Sequence, residues 1–465
     1  MPITSRLLRL AIVTVAVGAL GPIIGAAPAT AAVVASSQWP QFGQSERHLN
    51  TNPDERTFNP GNVAGLQTRF TAHFGDNNAT EGGPVVANGI LYIADFDGNL
   101  SAFAAKGCGV GSCEPLWRGH ADNDFATTPA VAGGLVLVGS ADRFLYAFPA
   151  AGCGAAVCQP QWRGQLADGA LDSSVAVAGN TVYIADAGGH LYVFALQGCG
   201  SAVCKPLWVG QGLSNESLGA PAVGNGFVYV SSFLSTPDLF TGRMLVFSAA
   251  GCGKATCNPV WTADIGGPAG RAAAPTVTAD TVFVGSTTLF GDGTNTDFHL
   301  FAFPAIGCGA KTCKPLRSYD TGDGGVSGAP AVAGNVLFAA TQDFTDDGIG
   351  VVSAYPAAGC GKPQCAPLWT GENFAMGFES APSVVGGVVF VGKGPASGFP
   401  VDAGLYGFNA AGCGATFCAP ISFLQLGTEQ NFMGSPLAVA GGKVFMVSTD
   451  NTTGHSNVYA IGLPG

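Results

Sequence analysis

PAVAGGLVLVGSADRFLYAFPAAGCGAAVCQPQWRGQ, running from Pro129 to Gln165, decides the fold. A short apolar strand ends at Gly133-Gly134, a two-residue hairpin turn of the kind that needs positive φ. A second apolar strand, LVLVG, leads into the polar turn SADR, and a third follows as FLYAF. The cysteine loop C-G-x-x-x-C then precedes a fourth strand, QWRGQ. Four short strands joined by tight turns form an antiparallel meander, the unit of a propeller blade. The three-strand phrase occurs eight times, beginning at Pro84, Pro129, Ser174, Pro221, Pro275, Pro330, Pro382 and Pro436. Seven copies are followed by a cysteine pair, at intervals of 45 to 56 residues, the period of a blade repeat. Eight phrases and seven following strands leave one vacancy, which LQTRFTAHF (Leu66 to Phe74) can fill from the other end of the chain. The expectation is an all-β, eight-bladed β-propeller of four-stranded antiparallel blades, with an N-terminal strand completing the C-terminal blade and leaving no open ring.

Composition agrees with strands and turns. Of 465 residues, 47% are hydrophobic, only 11% are charged and 70 are Gly. No stretch after residue 35 keeps a 3.6-residue apolar period, so almost no helix is expected. Residues 1–31 read as a secretory signal peptide: Arg6 and Arg9 are basic, Leu10 to Ala27 is apolar, and Ala29-Thr30-Ala31 is a small-x-small cleavage site. No basic stop-transfer flank follows, which argues against a transmembrane anchor in the mature chain. The expected organisation is therefore a signal peptide at 1–31, an N-terminal lead-in segment at 32–65 and the propeller at 66–465.

The 14 cysteines are all used by the pairs Cys108/Cys113, Cys153/Cys158, Cys199/Cys204, Cys252/Cys257, Cys308/Cys313, Cys360/Cys365 and Cys413/Cys418. An even count at one fixed spacing in an exported chain points to local disulfides across hairpin turns, each contributing about 2 kcal/mol in the chain-entropy model. Zinc needs four converging ligands, and pairs on different blades would stand far apart. Extracellular localisation follows from the signal and the disulfides together.

The pattern resembles the pyrroloquinoline-quinone-type (PQQ-like) β-propeller repeat family. The resemblance covers about residues 38–463 and rests on WPQFGQSERHLNTNPDE, FNPGNVAGLQ and the recurring G-x-L-Y-A-F…P-L-W. It implies that Trp117, Trp162, Trp208, Trp261 and Trp369 are structural, stacking between blades. Arg317 and Ile421 fall near that position in blades five and seven, where less regular docking is expected. The family includes quinoprotein dehydrogenases and cofactor-free scaffolds. Its dehydrogenases carry adjacent cysteines, a Ca²⁺ site of Glu, Asn and Asp, and an axial Trp. This chain has no Cys-Cys, and its six tryptophans are Trp39 and the five repeat positions. The resemblance therefore favours a non-dehydrogenase member with no cofactor; the alternative is an oxidoreductase using PQQ and calcium on a sugar or alcohol, with Glu81 a candidate carboxylate.

Sorting acids by turn gives a skew: 25 of 30 fall before first strands or between second and third strands, on one expected face, while many lysines and arginines cluster near the cysteine loops. Such a face attracts a protein, glycan or cation partner and repels nucleic acid. Asp is also favoured in turns for its local hydrogen bonds, which is the competing explanation. The turns between second and third strands lengthen in blades four to eight, and one of them holds Asp343, Asp346 and Asp347, oxygen ligands suited to Ca²⁺. No catalytic, zinc or phosphate-loop motif is present, so no catalytic residue is assigned. The function expected is a secreted, monomeric, non-catalytic binding or scaffold module.

Overall fold

The computed structural model describes residues 1, 37–76, 80, 82–109, 111–125, 127–170, 173–212, 216–236, 239–266, 273–286, 299–322, 324–326, 328–342, 350–371, 380–393, 403–426, 431–432, 435–450 and 455–465. The chain divides into two units, Met1–Ala35 and Ser36–Gly465, and apart from Met1 every described residue belongs to the second.

Eight antiparallel sheets form the blades. In blade 2 the order is Ala130–Ala132, Leu135–Gly139, Phe144–Pro149 and Trp162–Gln165. The first strands of neighbouring blades touch one another, so they line the axis. Blade 8 joins Ala438–Ala440, Lys443–Asp450 and His455–Gly462 to Gln67–Asp76, which pairs antiparallel with His455–Gly462. The ring is thus closed by strands from opposite ends of the chain. Positive φ at Gly133 and Gly134, 56° and 81°, is the left-handed pair that the first turn demands. Among the described residues the only helical element is the 3-10 turn Val63–Gly65.

All seven cysteine pairs are disulfides: Cys108–Cys113, Cys153–Cys158, Cys199–Cys204, Cys252–Cys257, Cys308–Cys313, Cys360–Cys365 and Cys413–Cys418, with Cα–Cα separations of 5.6 to 5.7 Å. Each bridge is local to one loop, as expected, and the structure adds where that loop packs. Each loop reaches backwards, and its second cysteine belongs to a short parallel strand on the outer edge of the preceding blade. Cys113 pairs there with Ala72 of blade 8, Cys158 with Gly119 of blade 1 and Cys204 with Gly164 of blade 2. Cys257 pairs with Gly210 of blade 3, Cys313 with Ala263 of blade 4, Cys365 with Tyr319 of blade 5 and Cys418 with Gly371 of blade 6. The Arg118 N–H, for example, donates to Ala156 O at 2.8 Å. The physical reason is the unpaired edge: a fourth strand leaves backbone groups open, and the loop of the next blade is near enough to fill them. Burial follows the same division. Cys113, Cys158, Cys204, Cys257, Cys313, Cys365 and Cys418 are buried, whereas the first cysteine of each pair is exposed. Cys204 packs in the seam that holds Trp162, Cys257 in that of Trp208 and Cys313 in that of Trp261, while Cys365 packs beside Tyr319. Blade 7, with outer strand Ser422–Gln425, has no such fifth strand, because blade 8 carries no cysteine loop; the turn Val63–Gly65 lies beside it instead.

The core is a series of seams between blades. Trp162 and Phe194, from blades 2 and 3, share one buried cluster, and Trp117 and Phe148 share the next. Two glycine positions make the fit. A Cβ on Gly198 would stand 2.8 Å from the Trp162 ring, and one on Gly164 would stand 2.8 Å from Phe194. The glycine before the first cysteine therefore roofs the outer-strand side chain of the preceding blade, a Trp indole in five of the seven loops and the Phe70 ring over blade 8. In blade 5 that place is held by Arg317, which lies under Gly359 and donates from its guanidinium to Ala357 O at 2.8 Å. In blade 7 the register puts Ser422, not Ile421, at this position, because Ser422 pairs with Gly407 as Trp162 pairs with Ala147.

Candidate binding faces and a filled axis

The lead-in segment lies across the axis. Its residues bond in turn to the middle of every first strand, and the residue met is valine in all eight blades. Trp39 exchanges two backbone hydrogen bonds with Val86, both 2.8 Å, and Pro40 O accepts from the Val131 N–H at 2.7 Å. Gln41 binds Val177 through its amide, accepting from N–H at 2.8 Å and donating to C=O at 3.3 Å. Glu46, Arg47, Leu49 and Asn50 then accept from Val223, Val277, Val332 and Val384 at 2.6 to 3.0 Å. Asn52 closes the circuit, donating to Val439 O at 2.8 Å. First strands at the axis have one edge with no sheet neighbour, and buried backbone groups there must find partners. This segment supplies them. Left-handed backbone at Gly43, Gln44, His48 and Asn50 lets it coil tightly enough to do so.

Phe42 packs with Ala220, Ala274 and Ala329, which precede the first strands of blades 4, 5 and 6. His48 stands edge-on to Phe42, with centroids 4.7 Å apart, and its Nδ1–H donates to Pro275 O at 3.0 Å. Burial holds this imidazole neutral, with its pKa lowered to about 4 against an opposing lift from the Pro275 bond. Glu55 fixes the end of the segment: its carboxylate accepts from Ser37 Oγ at 2.6 Å, Gly442 N at 2.8 Å and Thr57 N at 2.9 Å. Burial alone would raise the Glu55 pKa, but these donors outweigh it and hold the pKa low. Gly442 lies in a first-to-second turn, so the segment enters from the face that carries the cysteine loops.

A quinone with its calcium needs axial space and carboxylate or amide ligands. Where the lead-in segment lies, that space holds Phe42, and the walls Ala220, Ala274 and Ala329 offer no metal ligand. The described part of the axis does not fit the group. Among the described residues no cluster of three or more His, Cys, Asp or Glu could hold a metal. Asp343, Asp346 and Asp347 lie outside the described residues, as do Glu81 and most of the lengthened turns of blades four to eight.

On the opposite face the acids divide into two kinds. Asp95 and Asp186 are buried and build their turns: Asp95 accepts from the Asn99 N–H at 2.8 Å, and Asp186 from the His190 N–H at 2.8 Å and the Tyr192 hydroxyl at 2.8 Å. Burial, with Asp97 adding repulsion, raises the Asp95 pKa to about 6. Asp97 and Asp122 are exposed. Counting acids by turn thus overstates the surface charge, because buried turn-forming carboxylates contribute little to it. His190 meets Asp186 at 3.2 Å, and the same carboxylate accepts from the His190 N–H and the Tyr192 hydroxyl, so the pair serves the turn. The sequence reading missed the plug residues Gln41, Phe42, His48, Asn50 and Asn52. The signal for them was the single valine repeated in all eight first strands.

The family model described as outer membrane protein assembly factor BamB, a PQQ-like repeat model, matches residues 61–302. The chain belongs to this family. BamB from Moraxella catarrhalis superposes with a TM-score of 0.55 at 14% identity, covering 85% of this chain and 97% of that one. Quinohemoprotein alcohol dehydrogenase from Comamonas testosteroni gives 0.63 at 12% identity, covering 92% and 82%. The computationally designed Ika8 protein gives 0.58 at 13%, covering 84% and 98%. No curated protein matches the sequence. At these identities the structural likenesses establish the propeller alone, since BamB-type and dehydrogenase members share it. Among the described residues of this BamB-family chain, no helix is long and apolar enough to cross a membrane.

Proposed function

We infer that the protein is a secreted, monomeric, non-catalytic binding or scaffold propeller, exported by a signal peptide at 1–31. Its acidic turn face engages a protein, glycan or cation partner. The observation that carries this reading is the axis: the chain's own segment, bonded to all eight first strands and packing Phe42 against Ala220, Ala274 and Ala329, occupies space that an axial cofactor would need. The matching family's description as an outer membrane protein assembly factor supports the same reading. Exposed Asp97 and Asp122, with Asp124 half-buried nearby, give the acidic face a cation-attracting patch.

Two measurements test this. Calorimetric unfolding is run with PQQ plus Ca²⁺, with Ca²⁺ alone, and with neither. A ligand bound only by the folded state raises the melting temperature. No PQQ-dependent shift is expected, and such a shift would replace the scaffold reading with the oxidoreductase one. A rise with Ca²⁺ alone would assign the cation to the acidic turns. In parallel, an oligolysine peptide is titrated calorimetrically against the protein and against the variant Asp97→Asn/Asp122→Asn/Asp124→Asn. Weaker binding by the variant, with a reduced salt dependence, is expected; equal binding would remove the acidic face from the proposal.

A further inference from the structure

The cleft at the ring seam differs chemically from its repeats. Two blade junctions on the cysteine-loop side form clefts from the same three elements. These are the residue before the outer-strand aromatic, the first residue of the same blade's second strand, and the residue two before the next blade's first cysteine. Where blades 6 and 7 meet, the three are Leu368, Val336 and Ala411, lining an apolar-walled cleft of about 560 Å³. Where blades 8 and 1 meet they are Arg69, Lys443 and Lys106, lining a cleft of about 610 Å³. None of these three positions carries a cation at any other junction. Three cations at one junction and none elsewhere is not a propensity of the repeat, because the other copies fold with Leu, Val, Thr, Ile, Phe, Gln or Ala there. Bringing like charges together costs stability unless an anion offsets it. Lys443 registers that cost: burial first, then the charge of Arg69, lowers its pKa, with Glu55 opposing. The Glu55 carboxylate is itself engaged by Ser37, Thr57 and Gly442 and does not line the cleft. The remaining wall includes Gly107, Gly109 and Gly111, which permit close approach of a ligand to the backbone.

We propose that the cleft between blades 8 and 1 is an anion-binding site for a phosphate or sulfate group, held by Arg69, Lys106 and Lys443. Arg69 offers the planar fork suited to two oxygens, while the lysines act as point charges. The site lies on the cysteine-loop face, away from the acidic turns, and stands independently of the partner reading above. Because the two strands of the seam come from opposite ends of the chain, an anion there would also tie the ring closed.

The test uses the full chain, with any tag kept away from Gly465, which lies beside Arg69. Inorganic phosphate, sulfate and glycerol phosphate are titrated calorimetrically at low ionic strength, with chloride as the control. Saturable binding of phosphate or sulfate is expected, weakened at least tenfold by Arg69→Gln/Lys106→Gln. The variant Lys311→Gln/Lys362→Gln, on two other cysteine loops, is expected to bind as the wild type does. Melting temperatures without ligand show that each variant is folded; if the seam pair unfolds the protein, Lys106→Gln alone, at an exposed position, is used. Tighter binding of glycerol phosphate would assign a phosphomonoester over the free ion. Binding that is absent, or lost equally in both double variants, overturns the proposal.

Discussion

His48 and Asp95 carry opposite pH dependences through one window. His48 is held neutral with a folded pKa of about 4, below its ordinary 6.5, so the folded state binds fewer protons than the unfolded chain between those values. Its contribution is complete above pH 6.5 and is lost as pH falls towards 4. Asp95 has a folded pKa of about 6, above its ordinary 3.8, so the folded state binds more protons there. Its contribution is complete below pH 3.8 and is lost as pH rises through 6. Each amounts to roughly 3 kcal/mol, and the two largely offset one another. Chemical denaturation between pH 4 and 6.5 is therefore expected to show opposite slopes in two variants. Asp95→Asn, which keeps the acceptor for Asn99, will lose stability on acidification. His48→Asn, which tolerates the positive φ and keeps an amide donor for Pro275, will gain it relative to neutral pH. Parallel profiles for the two variants would show that these groups do not titrate as their burial requires.

At the scale of elements, the seams follow a complementary pair rule. Gly164 faces Phe194, and Gly119 and Gly371 face Phe148 and Phe408 in the same way. Blade 7 inverts it: Leu424 takes the glycine position and Ile461 the phenylalanine position, and Leu424 packs on the cluster that contains Ile461. Leu424→Gly should cost about 2–4 kcal/mol by leaving a cavity, and Ile461→Phe about 1–3 kcal/mol by overpacking. The double variant should recover at least about 1 kcal/mol of the sum, as read in a double-mutant cycle from urea midpoints. Additive costs would mean the two side chains do not share the space. The disulfide loops form a second set of elements. Cys153→Ser/Cys158→Ser should lower stability by about 2 kcal/mol from the short loop alone. It should also speed amide exchange at Arg118, whose N–H bonds to that loop on the neighbouring blade. Unchanged exchange at Arg118 would confine the disulfide's effect to its own blade.

For the whole molecule, ring closure and axial plug both depend on the segment before the first blade. Removing residues 1–76 strips the outer strand from blade 8, exposing the edge His455–Gly462, and leaves eight valines without their axial hydrogen bonds. The full chain is expected to unfold in one calorimetric transition. The truncated chain is expected to melt lower and to self-associate through the open edge, as sedimentation would detect. A truncated chain that stays monomeric with an unchanged transition would mean the blades are stable without closure.

The repeat, the blade count, the closing strand and the disulfide spacing were legible in the sequence because each is local or periodic. Strand alternation, Gly-Gly turns and a fixed cysteine interval report short-range backbone geometry, which the chain specifies over a few residues. The backward reach of the cysteine loops, the filled axis and the cationic seam were decided only by tertiary structure. Cys199 and Cys204 are five residues apart, yet only the second is buried, because blade 2 supplies the edge it pairs with. Trp39 meets Val86 and Asn52 meets Val439, 387 residues away; the repeated valine marks the strands that are met, but nothing periodic within the segment marks which of its residues meets each blade. Arg69, Lys106 and Lys443 look like three scattered surface cations until closure places both ends of the chain at one junction. Even the acids show this division. The sequence placed Asp95 and Asp97 in the same turn, but the fold buries the first, which accepts from the Asn99 N–H, and leaves the second exposed.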